Sequence, residues 1–293
     1  MLAADEPEVV VDAHAGVGEG PVWDAARGML IWLDIPGRLI HEYDPDTGAD
    51  TTFTVPMPVG SVALRDRGGL VLAMLDGFWL CEPDLEDLRR FVPVEADRPD
   101  NAMNDGKADP AGRFWAGTLA NDGRPGQGGL YRLDPDGNVE TMLTAVSVSN
   151  GIDWSPDERL MYYVDSGAHS VDVFDFDHQS GRIARRRTLV AVPPSEGVPD
   201  GLCVDGEGHL WVAIWGSGEV RRYSPEGDVE RVLRLPVTRV TSVAFGGHDL
   251  GDLYITSMAD GLSAEQQAGQ PLAGALFRSR PGVTGRLPFK FGG

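Results

Sequence analysis

Lysine is nearly absent from this chain: Lys107 and Lys290 are the only two in 293 residues, and arginine supplies the rest of the basic charge. The basic residues number 25 against 45 acidic ones, a formal net charge of −20. Neither nucleic acid nor an anionic membrane would be attracted to a surface of that sign. Cysteine is as scarce. Cys81 and Cys203 lie in separate strand-like contexts, which excludes a disulfide framework or a Cys-x-x-Cys site and predicts two small buried thiols. No apolar run approaches a membrane span, and the N-terminal MLAADEPEVV has neither the basic region nor the apolar core of a signal peptide. The expected location is therefore the cytoplasm. Familiar catalytic signatures are missing too: there is no G-x-S-x-G elbow, no H-E-x-x-H pair and no phosphate loop. Gly16, Gly18 and Gly20 surround Glu19, but no helix follows them, so they read as a strand-entry turn. The six histidines show no ligand spacing and read as surface or turn residues. Almost nothing repeats at helical spacing.

What the chain has in quantity is glycine (38), proline (21) and short apolar runs, within a 42% hydrophobic composition. That is too apolar for disorder and suits many short strands joined by tight turns. A repeated pattern of apolar strand, Asp-Pro or Asp-Gly turn and apolar strand begins near Gly20, Gly60, Asp105, Gly151, Gly201 and Ser242. The period of roughly 40 to 50 residues is that of propeller blades. Strands are expected at Met29 to Asp34, Leu70 to Leu75, Arg113 to Thr118, Leu160 to Asp165, His209 to Ile214 and Asp252 to Thr256, bounded by turns such as Asp134-Pro135-Asp136-Gly137. The fold class is all-β, a six-bladed β-propeller with a central channel. No Ser- or Pro-rich linker divides the repeats, so residues 1–293 read as one domain.

Four of the repeats carry an oxygen-bearing side chain at one position: Glu19 in GEGPVW, Asn104 in MNDGKADPAG, Asn150 in SNGIDWSPD and Asp200 in PDGLCVDGEG. Aligning the segments that follow them (Trp23-Asp24, Ala108-Asp109, Trp154-Ser155, Val204-Asp205) puts all four in one register without gaps. Asn or Asp before Gly is common in turns, because both tolerate left-handed backbone and bond their own main chain. Glu19 does not fit that explanation, since glutamate is a poor turn residue and is rarely buried without a partner. Arranged about an axis, the four would converge as an oxygen-only cluster at one end of the channel, suited to a hard divalent cation. The second repeat has Gly60 or Ser61 at this register and the sixth has Thr241, which leaves one side of such a cation open.

GEGPVW, NDGKADPAGRFWAGT, SNGIDWSPD and PDGLCVDGEGHLWVA, with GALFR and the terminal Pro-Phe-Lys-Phe, resemble the family of senescence marker protein (regucalcin), gluconolactonase and luciferin-regenerating enzyme over essentially the whole chain. The resemblance implies a metal-dependent lactonase of the gluconolactonase type, with one divalent ion: calcium first, then magnesium, manganese, zinc or iron(II). It makes Glu19, Asn150 and Asp200 the metal ligands, Asp200 also the catalytic base, and Asn104 a substrate-binding neighbour. On that reading the metal polarises the lactone carbonyl, Asp200 accepts a proton from water, and the Asn104 amide aids the developing alkoxide. Family members that act on sugar lactones commonly have Arg where this chain has Ala102, and a glutamate where it has Asp122. The shorter, uncharged pocket predicts weaker binding of polyhydroxylated lactones. Trp79, Trp115 and Trp215 are possible walls, with core packing the expected role of each. The implied partner is a small lactone, and the implied state is a monomer or weak homo-oligomer. Two other functions share the constellation: a phosphotriesterase-like hydrolase and a non-enzymatic calcium-binding protein. The latter would saturate its ion with protein oxygens, and four donors fall short of that.

Overall fold

The computed structural model describes residues 6–83 and 87–293; the first five residues of the N-terminal stretch read above lie outside them. The fold is a six-bladed β-propeller built of six four-stranded antiparallel sheets. Five sheets take four consecutive strands each, in the order of the chain. The sixth combines Val240–Gly246, Asp252–Ser257 and Leu276–Ser279 with the N-terminal strand Glu8–Val11, whose Glu8 lies opposite Arg278. Strand positions follow the sequence reading closely: Met29–Asp34 and Leu160–Asp165 match at both ends, and the others shift by one or two residues. Among the described residues the single α-helix is Ala264–Gly269, closed by a capping box between Ser263 and Gln266. Among the described residues no helix is long and apolar enough to cross a membrane.

Burial falls from the first strand of a sheet to the fourth, and composition follows it. Val59–Leu64 and Ser149–Trp154 are buried throughout, whereas Asp50–Thr54 and Leu88–Pro93 alternate between exposed and half-buried positions. Second strands such as Met29–Asp34, Leu70–Met74 and Leu210–Trp215 therefore read as nearly continuous apolar runs and fourth strands as polar ones, while first strands bury polar residues among apolar ones.

By chain contacts the protein comprises two compact units, Met1–Pro56 with Val192–Leu287 and Met57–Ala191 with Pro288–Gly293, of three sheets each. The first unit has a core including Trp211, Phe245, Ile255 and Phe277. The second has a core including Phe78, Phe114, Leu133 and Phe291. In the second unit the C-terminal tail is part of the structure: Phe291 is fully buried, Gly293 O accepts from Arg65 Nε at 3.0 Å, and Gly292 N donates to Gly112 O at 2.9 Å. Both cysteines are buried and form no disulfide, as expected.

The aspartate that follows a first strand has a structural task. Asp109 accepts from the Ala111 and Arg113 amides with one oxygen and from Trp115 Nε1 at 2.9 Å and Arg113 Nε with the other. Asp205 repeats this with Glu207 N, His209 N, Trp211 Nε1 at 3.0 Å and Arg222 Nε. One carboxylate thus closes the turn and fixes the next strand's buried tryptophan, leaving few lone pairs unused. In SNGIDWSPD the Ser155 hydroxyl does the turn-closing part, accepting from Arg159 N and Leu160 N. One expectation is corrected here. His41 is neither a surface nor a turn residue: it is buried in Leu39–Tyr43, stacks on Trp32 with ring centroids 3.8 Å apart, and pairs with Asp50 at 2.6 Å.

Candidate active site

Every first strand breaks its pairing register once, near its start, and the candidate donors sit at that break. Extra residues fall between Val59 and Ser61, Met103 and Gly106, Ser149 and Ile152, Pro199 and Leu202, and Val240 and Val243. Such bulges re-aim side chains and interrupt pairing, and they are over-represented next to active sites. The bulged pairs are Asn104-Asp105, Asn150-Gly151, Asp200-Gly201 and Thr241-Ser242. Glu19 departs by one residue. It still pairs with Leu33, and the break falls on Gly20-Pro21, because Pro21 has no amide hydrogen to give the ladder. The gapless alignment is therefore true of the sequence and off by one in the ladder. The turn explanation for the Asn-Gly and Asp-Gly pairs fails, since Gly151 and Gly201 lie within strands and neither is among the positive-φ glycines.

In the first unit the donors are carboxylates. Glu19 and Asp200 are 6% and 9% exposed, a burial that an ionised carboxylate tolerates only with partners. Glu19 Oε2 accepts from Gly20 N at 2.9 Å. The strands of both residues pack on Val240–Gly246. There Thr241 Oγ1 donates to Gly18 O at 2.6 Å and lies 2.9 Å from Thr256 Oγ1. Gly201 is required by packing and not by φ: a Cβ there would stand 2.1 Å from Ser242 Oγ.

In the second unit the donors are amides, brought into contact. Asn104 Nδ2 donates to Asn150 Oδ1 at 2.9 Å and to Ser149 O at 2.8 Å, and Asn150 Nδ2 donates to Ser166 Oγ at 2.8 Å. The neighbouring strand seats Asn104 from the other side. Ser61 Oγ donates to Asn104 O at 2.8 Å, and a Cβ on Gly60 would lie 2.6 Å from Asn104 Cα, so only glycine allows this approach. Both hydrogens of the Asn104 amide are thereby used within the protein. That corrects its expected part as a donor to a developing alkoxide: the atom Asn104 offers is Oδ1, an acceptor. Ser61 and Ser149 lie at or beside the repeated position but were not legible as site residues, because they act through an Oγ–carbonyl bond and a backbone carbonyl; Ser166 lies outside the repeated motifs.

The segment that follows Asn104 contributes to a charged group whose carboxylates, Asp105 and Asp153, are buried and whose Lys107 is half-buried. Lys107 Nζ is 3.1 Å from Asp153 Oδ2, and Asp105 is buried beside them with its Oδ1 accepting from Gly106 N at 2.7 Å. Burial pushes the Asp105 carboxyl up to about 6, against the opposing effects of Lys107 and the Gly106 amide.

At the end of the same sheet, Ala102 pairs with Leu119, and Asp122 follows three residues later. Asp122 is exposed and already holds a guanidinium: Arg124 Nε lies 2.5 Å from its Oδ2, and Arg124 N donates to Oδ1 at 3.1 Å. Those bonds hold its carboxyl below the usual range. The partner of Asp122 is thus Arg124, a residue the sequence reading passed over. Of the tryptophans, Trp115 is fully buried, as core packing predicts; Trp79 bonds Asp76 at 2.8 Å through Nε1; and Trp215 is half-buried at the end of Leu210–Trp215.

One further set of metal-type ligand atoms, from Asp205, Glu207 and His209, lies within 4.8 Å. Arg222 already fills it, with Nη2 at 2.7 Å from Asp205 and 2.5 Å from Glu207, so a second cation would meet like charge.

Residues 17–259 match the family described as SMP-30/Gluconolactonase/LRE-like region. The regucalcin of Oryctolagus cuniculus is 42% identical over 295 residues, covering 98% of each chain. Among solved structures, a calcium-binding protein, regucalcin, from Agrobacterium tumefaciens superposes with TM-score 0.94 at 28% identity, covering 98% of this chain and 97% of its own. A luciferin-regenerating enzyme does so with TM-score 0.91 at 31% identity, covering 98% and 99%. A likeness of this extent, in sequence and in fold, supports a lactonase-type function. The chain belongs to the SMP-30/gluconolactonase/luciferin-regenerating enzyme family.

Proposed function

We propose that the protein hydrolyses a small lactone, of the sugar-acid type, in a divalent-metal-dependent reaction. The observation that carries this is the pair of buried carboxylates on first strands, Asp200 at the register break and Glu19 beside it. The donor chemistry fits a hard cation: with Asn150 they make an oxygen-only set, which favours calcium, magnesium or manganese over zinc. Calcium is the first choice, in keeping with the calcium-binding relative. Glu19, Asn150 and Asp200 would hold the ion, and when bound it would supply polarisation of the lactone carbonyl.

The chain's own residues do the rest. Asp200 accepts the proton of the attacking water through a carboxylate oxygen. The Asn104–Asn150 hydrogen bond holds both amides in one orientation, so Asn104 Oδ1 accepts from a substrate hydroxyl without reorganising. Arg124, steadied by Asp122, offers the guanidinium donors for the substrate's remaining oxygens.

The deciding experiment follows acid release from five- and six-membered lactones by chelated protein reloaded with calcium, magnesium, manganese, zinc or iron(II), with a paraoxon-type ester alongside. Metal-restored turnover of aldonolactones is expected. Ester cleavage without lactone turnover would favour the phosphotriesterase reading, and metal binding without any turnover would favour a binding protein.

A further inference from the structure

A cavity of about 440 Å³ in the first unit begins two residues before Asp200 on the same strand, at Val198. Its volume lies in the range of small-ligand sites. Val198 pairs with Trp215, which lines the cavity from the end of the neighbouring strand. The turn Pro194–Glu196 and Gly197 form another wall. Gly197 has φ +112, and a Cβ there would lie 2.7 Å from Trp215 O, so glycine alone lets this turn lie against the strand end.

The lining combines one aromatic face with fixed charges. The Arg239 guanidinium lies 5.1 Å from the Trp215 ring centroid and fixes the indole. Arg221 is held between Glu196 at 2.7 Å and Glu219 at 2.9 Å, and Glu219 also accepts from Arg234. Burial of Glu219 and Arg221 and exposure of Glu196 leave the array rigid on one side and open on the other. Carboxylate acceptors and guanidinium donors in fixed positions beside an indole match a ring that has hydroxyls on its edge and C–H groups on its face.

We infer that this cavity is a subsite for a second sugar ring, so that the preferred substrates are aldonolactones carrying a glycosyl substituent. The inference rests on the lactonase reading above and adds to it a substrate class.

The test compares kcat/KM on the lactone of a disaccharide acid, such as maltobionic acid, with kcat/KM on glucono-lactone. The native protein is expected to favour the disaccharide lactone by about tenfold, the scale of one aromatic contact. Trp215→Ala and the exposed Glu196→Gln should each bring that ratio toward one, and Trp215→Phe should keep most of it. A ratio of one in the native protein, or a ratio unmoved by both Trp215→Ala and Glu196→Gln, overturns the subsite. A second measurement is independent of turnover: calorimetric titration with the neutral alditol maltitol, expected to bind at millimolar concentration and to lose binding in Trp215→Ala. A protein that binds maltitol in this way but hydrolyses no lactone keeps the subsite and loses the lactonase reading. One that hydrolyses lactones with neither maltitol binding nor preference loses the subsite alone.

Discussion

The two units use the same backbone device for different chemistry. In each, first strands pack together and break register near their start, yet the first unit places carboxylates there, Glu19 and Asp200, and the second places amides, Asn104 and Asn150. The bulge is a backbone property that sets where a side chain is aimed. The side chain decides whether that place holds charge. Carboxylates can bind a cation and accept a proton; amides can do neither strongly, but their hydrogens lock a geometry, as Asn104 does against Ser149 and Asn150. The second unit keeps its own charges further along the same strands, in Asp105, Lys107 and Asp153.

Exchanging the two chemistries tests this contrast. Asp200→Asn keeps the shape and one ligand oxygen and removes the base, so kcat at saturating metal should fall by about 10² to 10⁴. Near-native turnover would make Asp200 a ligand only. The reciprocal change, Asn104→Asp, replaces two donated hydrogens with a charge facing Ser149 O and Asn150 Oδ1. Denaturant unfolding should show a loss of about 2 to 4 kcal/mol, from acceptors left unpaired and a carboxylate set against them. An unchanged midpoint and slope would mean that the amide contacts do not hold the site.

The buried charge of the second unit has a pH signature. With the Asp105 carboxyl raised to about 6 from 3.8, its favourable contribution is complete below the unfolded value and is lost as pH rises through the folded one. The stability of Asp105→Asn relative to the native protein should therefore improve between pH 4 and pH 7, by at most about 3 kcal/mol. A difference that stays flat across that window would show that Asp105 is not held neutral. The smallest effect is expected at position 102. Ala102→Arg adds a guanidinium near Asp122, which Arg124 already occupies, so the gain in kcat/KM on aldonolactones should be under about tenfold. Removing Arg124 in the same background should enlarge it. No gain on any aldonolactone, with or without Arg124, would mean that Asp122 does not face the substrate.

The blades and their boundaries were legible in the chain, and the four oxygen-bearing residues stood out in it, because each rests on local rules: apolar runs of strand length, turn residues at fixed offsets, and a position shared by four of the repeats. Glu19 stood out since glutamate has no local reason to precede Gly20. The register itself was less legible. Whether the break falls on Glu19 or on Gly20-Pro21 depends on which amides face the partner strand, and that is a property of the pair. Gly151 and Gly201 looked like turn glycines for the same reason, and Gly201 is in fact spaced by Ser242.

By itself, then, the sequence determined the propeller class, the family and the oxygen-bearing residues at the repeated position, because periodicity and side-chain chemistry are carried by the chain one residue at a time. Only the tertiary structure decided that the hydrogens of Asn104 are already used, that Ser61 and Ser166 complete its surroundings, that Arg124 stands at Asp122, and that Arg222 fills the Asp205 cluster. Each of these is a pairing between residues of different strands or loops, and a donor's partner is set by the packing that brings the two groups within hydrogen-bonding distance.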